Sequence, residues 1–131
     1  MVAEAEEDRN RFAAMLQGAG FRVVAAGGDF YDLEDEINRG NGIDLVLIQE
    51  RVGKAVDTVG RVRSFDRTGA TPVMLVTNGV DGVRLDREFA RDRATIAWDG
   101  AGSSDQFDAA VTRLMKVAAG GRMTDMDAIT Y

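Results

Sequence analysis

Apolar positions along the chain fall into two spacings that alternate from one end to the other. Phe12, Leu16 and Ala19 share a face with Met15 at steps of three and four, which predicts a helix over Arg9 to Ala19. Gly18 and Gly20 mark its end. Arg22 to Ala26, centred on Val23 and Val24, predicts a strand, and Gly27-Gly28-Asp29 a turn with Asp29 as N-cap. Phe30, Leu33 and Ile37 predict a second helix to Arg39, ended by Gly40-Asn41-Gly42. Leu45 to Ile48 is an unbroken apolar run, as in a parallel strand covered on both faces. Val56, Val59, Val62 and Phe65 place a third helix over Lys54 to Phe65. Pro72, the only proline, opens a strand Val73 to Thr77, where a missing donor is tolerable. Asn78-Gly79 and Asp81-Gly82 read as a loop, Val83 to Arg91 as a short helix carrying Leu85 and Phe89, and Thr95 to Trp98 as the next strand. After the polar loop Asp99 to Ser104, Asp105 is placed to cap a last helix with Phe107, Val111, Leu114 and Val117 on one face.

Strands and helices in strict alternation predict a parallel sheet with helices on both faces. Only Met1 to Glu4 is available for a first strand. The expected domain covers residues 1–119, with 120–131 a tail or the start of a following segment.

Composition narrows the chemistry. The 131 residues, 45% hydrophobic and 29% charged, suit one domain with its own core. There is no cysteine and no histidine, so thiol chemistry is excluded and the commonest general base and metal ligand are missing. A net charge of −6 disfavours nucleic acid as a partner. The apolar runs are too short to span a bilayer, and the acidic N-terminus lacks signal-peptide order, so a cytoplasmic location is expected.

Several segments resemble the receiver domain of two-component response regulators, a bacterial signalling family. Val2-Ala3-Glu4 sits where that family's first strand ends in an acidic pair. Gly20-Phe21-Arg22-Val23-Val24 matches the approach to its second strand, and Asp44-Leu45-Val46-Leu47-Ile48 the run that ends in the phosphorylated aspartate. Pro72 to Thr77 matches its fourth strand with a terminal hydroxyl, and Asp105 to Met115 its last helix. The resemblance implies a flavodoxin-like, five-stranded sheet in the order 2-1-3-4-5. It also implies a carboxylate nucleophile, Mg²⁺ held by acids, a hydroxyl and a lysine. In this register Gln49 stands at the acceptor position, the acidic pair becomes Ala3 and Glu4, and Thr77 keeps the hydroxyl. The lysine position falls near Asp99 or Gly100, and no lysine lies between 55 and 115.

The expectation is therefore a pseudo-receiver: a non-enzymatic module without a cofactor, working through contact with a protein partner, a neighbouring domain or a second copy. Glu4, Gln49 and Thr77 would form its vestigial pocket. Arg84, Arg87, Arg91 and Trp98 would offer a docking face, as the fourth helix and last strand of receivers do; the arginines read equally as a solvated helix with local ion pairs, and Trp98 more often as core or pocket wall. Glu4, Glu6, Glu7 and Asp8 suggest a residual metal site, with Glu4 as its ligand, but acids at a helix N-terminus are expected from the dipole alone. Two alternatives remain open: a small-ligand or ion site at the strand carboxyl ends, and a phosphorylatable receiver using Glu50.

Overall fold

The computed structural model describes residues 1–3, 5–23, 26–39, 42–77, 79–100, 103 and 105–117. Four parallel strands form one sheet in the order β1-β2-β3-β4: β1 Val2–Ala3, β2 Val46–Gln49, β3 Val73–Thr77 and β4 Thr95–Asp99. The helices are α1 Glu6–Gly18, α2 Glu34–Arg39 entered through a 3-10 turn Phe30–Leu33, α3 Val52–Ser64, α4 Gly79–Glu88, and α5 over 105–117.

Alternation along each strand divides the core between two faces. Val2, Val46, Ile48, Val73 and Leu75 point to one side, where Phe30, Leu33 and Ile37 meet Val59 and Val62 of α3 and Leu85 of α4. Leu47, Met74 and Val76 point to the other, against Phe12 and Leu16 of α1 and Phe107, Val111 and Leu114 of α5. Phe12 and Phe107 are wholly buried, each contributing roughly 2–3 kcal/mol of transfer free energy. Because α1 and α2 lie on opposite faces, the chain between them passes around the outer edge of β1. There Gly27 bridges Val2 in parallel, donating to the Met1 carbonyl at 3.2 Å and accepting from the Ala3 N–H at 2.9 Å.

At the amino ends of β3 and β4 a single arginine joins three segments. Arg63 of α3 donates to both carboxylate oxygens of Asp92 (2.8 and 3.4 Å), to the Thr71 carbonyl (2.5 Å) and to Thr95 Oγ1 (2.7 Å). Burial pulls the Asp92 carboxyl upward. The hydrogen bonds from Arg63 and Thr95, with the arginine charge, outweigh it and hold the group below the ordinary carboxylate range.

Several expected boundaries move. α1 begins at Glu6, three residues early, with Glu6, Glu7 and Asp8 in its first turn and no side-chain cap; the acids compensate the dipole instead. Asp29 does cap the 3-10 turn, accepting from the Tyr31 N–H at 3.0 Å. α3 runs Val52–Ser64, and Phe65 lies beyond its end in extended conformation. α4 begins at Gly79, so part of the expected loop is helix. A β-carbon at Gly82 would meet Thr77 Cγ2 at 3.4 Å and Ala97 Cβ at 3.9 Å, ordinary contacts that place this turn of α4 against the sheet. Arg22, Val23 and Ala26 are not paired into the described sheet, and the rest of that expected strand, Val24 and Ala25, lies outside the described residues. Val117 is exposed, not part of the buried face of α5. Ser103, not Asp105, caps α5: Ser103 Oγ accepts from the Gln106 N–H at 3.2 Å while Gln106 Oε1 accepts from the Ser103 N–H at 2.9 Å, a reciprocal capping box.

Candidate functional site

The carboxyl ends of the strands open into a cleft of about 530 Å³. Open parallel sheets bind ligands at this end, where crossovers diverge to opposite faces. Gln49 and Thr77, which finish adjacent strands, both line it, each half-buried. Asp8 and Arg11 of α1, Glu50 and Arg51 ahead of α3, Asp81 of α4, Asp99 at the end of β4 and Gly100 after it also line the cleft. Glu4, the remaining expected member, lies outside the described residues.

The side chain nearest the expected acceptor is already engaged. Glu50 has a side chain with 0% exposure. Its Oε1 accepts from Thr58 Oγ1 at 2.5 Å, and Lys54 Nζ stands 3.3 Å from Oε2. Oε2 has that ion pair but no hydrogen bond. The residues 50, 54 and 58 follow helical spacing along the start of α3, so one face of that helix folds back over the carboxylate. Phosphoryl transfer to Glu50 would require it to leave both partners.

Of Asp99 and Gly100, near which the receiver resemblance would put a lysine, Gly100 donates its N–H to the Thr77 carbonyl at 2.9 Å. A β-carbon there would come within 2.8 Å of Val76 Cγ1, so no side chain fits without repacking. Arg11 reaches the same corner from α1, its guanidinium 3.4 Å from the Gly100 carbonyl. The cleft carries the acids Asp8, Asp81 and Asp99 against Arg11 and Arg51, but among the described residues no three acids are arranged to hold a metal ion.

The expected docking residues do not form one surface. Arg84, Arg87 and Arg91 are exposed on and just after α4. Trp98 projects from β4 to the opposite face, where it meets Phe107 edge-on with centroids 5.3 Å apart and packs into the α1–α5 core. Sequence reading gave no sign of a second cavity of about 310 Å³ at the amino end of the sheet, walled by Met1, Phe21, Phe30, Leu33, Ile37 and Ile43. Its burial lowers the Met1 amine to about 6, with Glu36 opposing.

No family model matches the chain, and no curated protein or solved structure is significantly similar to it. Fold and site together define an α/β protein with a parallel sheet and a polar cleft at its carboxyl ends. No helix among the described residues is long and apolar enough to cross a membrane.

Proposed function

We propose that the chain is a receiver-like module, in the sheet order 2-1-3-4-5, that acts by protein–protein contact without phosphorylation at Gln49. The parallel bridge from Gly27 to Val2 supports the order, because it sets the segment after α1 on the outer side of β1. The observation that carries the functional reading is the strand end itself: a carboxamide faces the cleft at Gln49, and the adjacent carboxylate, Glu50, is buried against Thr58 and Lys54. A carboxamide is uncharged and a poor nucleophile, so neither attack on a phosphoryl group nor metal binding is favoured there. A preserved scaffold around absent chemistry leaves docking, in the cytoplasm, as the role.

The test is a titration with Mg²⁺ and then Mg²⁺ with beryllofluoride, following Trp98 fluorescence and amide chemical shifts. The expected result is no saturable change at Gln49 and Thr77. A saturable response centred on those residues would replace docking with the second reading, a small-ligand or ion site, which the volume and polar wall of the cleft favour.

A further inference from the structure

The docking reading leaves the partner open, and the exposed faces of α2 and α4 bear on it. Among the described residues the large exposed hydrophobics are Tyr31, Val80, Val83 and Val117. Two of them, Val80 and Val83, share the outer face of α4 with Arg84 and Arg87 at helical spacing, while Leu85 faces the core. Arg91 and Arg93 follow, also exposed. Asp86 and Glu88 flank this stripe; the Asp86 carboxylate is turned to the Ala97 N–H of β4 at 3.4 Å. The result is a stripe that is apolar at its amino end and basic beyond it, on a chain of net charge −6.

The other large exposed ring, Tyr31, lies in the 3-10 turn leading into α2, among exposed Asp32, Asp35 and Glu36. Glu34 is taken by Arg61 of α3 at 2.9 Å, and the same guanidinium lies over the Tyr31 ring. Arg39 stands in the last turn of α2. Tyr31 is thus an aromatic anchor held by a cation beneath it and rimmed by three acids.

The two faces are complementary in kind, and they sit on opposite sides of α3 in the same helical layer, which α3 joins by contacts to α4 and to the 3-10 turn. We infer that the chain associates head to tail with a second copy of itself, the Val80–Val83–Arg84–Arg87 stripe of one copy docking on the Tyr31–Asp32–Asp35–Glu36 face of the next. This rests on the docking reading and names its partner. The stripe is poorly suited to a symmetric α4–α4 contact, because an antiparallel self-pairing would set Val83 against Arg84 and Val80 against Arg87. A heterologous contact leaves one free face of each kind, so it propagates unless the rotation closes a ring.

Sedimentation of the full chain tests this with two charge-reversal variants, Arg84→Glu/Arg87→Glu and Asp32→Lys/Asp35→Lys, after circular dichroism has shown that each folds. Should either fail to fold, the Gln and Asn versions take its place. Wild type is expected to gain mass with concentration at low salt, with self-affinity falling about tenfold or more at high salt as the rim charges are screened. Each variant alone should remain monomeric. An equimolar mixture should again gain mass with concentration, since the intact acidic face of one meets the intact basic stripe of the other and the two reversed faces are complementary as well. A wild type that stays monomeric at both salts, or an acidic-face variant that associates as well as wild type, overturns the inference. A monomeric wild type with a silent cleft leaves the docking reading standing with a different partner, whereas a cleft that responds to beryllofluoride removes that reading whatever the mass.

Discussion

At the scale of single residues, Arg63 carries more of the fold than any pattern in the sequence announces. Its partners lie up to 32 positions away, so nothing local ties it to them. Removing it takes the opposing charge from Asp92, which keeps only Thr95 Oγ1 and the Ala94 N–H as donors, and takes the Arg63 donor from the Thr71 carbonyl, in a half-buried site. Arg63→Ala is expected to cost about 2–4 kcal/mol in urea unfolding, the range for one-sided loss of a partly buried pair. The pH dependence has a definite sign. The Asp92 carboxyl titrates below its unfolded value of 3.8, so its contribution is present above that pH and is lost as pH falls through the lower folded value. Asp92→Asn should flatten this acid limb, and an unchanged limb would show that other carboxylates set it. Glu50 makes the same point about legibility. In the sequence it reads as an alternative acceptor, and only the fold of α3 over it shows the partners at positions 54 and 58.

Elements were legible where periodicity and tertiary packing agree. The runs at Val46 and Val73 are strands, and Phe12 and Leu16 do set the buried face of α1. The misreadings share a cause, which is that residues with strong local meanings serve tertiary ends. Gly79 and Gly82 punctuate a loop by propensity, yet both belong to α4, whose inner side packs Leu85 into the core. Asp105 is a good cap by type, but Ser103 with Gln106 satisfies two N–H groups at once. Ser103→Ala should destabilise the chain by about 1 kcal/mol, and Asp105→Ala by clearly less, in thermal unfolding. Equal losses would return the cap to Asp105. Of the candidate site, Gln49 and Thr77 were legible because strand ends define the cleft. Trp98 reads as core or pocket wall by type, but that it lies on the opposite face from Arg84 and Arg87 depends on which face each residue takes.

Across the whole molecule the sheet is unevenly tied. β3 and β4 are registered over five pairs, from Val73↔Thr95 to Thr77↔Asp99, and Arg63 fastens their amino ends. β1 meets β2 over two pairs, Val2↔Ile48 and Ala3↔Gln49, and its outer side holds the Gly27 bridge. Strands opened by short ladders unfold locally at less free energy than those within long ones. Native-state hydrogen exchange should therefore run as a gradient: amides of β3 slowest, near the limit of global unfolding, and those of Ala3 and Gly27 exchanging much earlier through sub-global opening. Uniform protection across the sheet would contradict it. Such a gradient makes the β1 side the weak seam of the domain, the place where heat or a protease first finds a loose end, while the β4 side behaves as the anvil on which the rest is assembled.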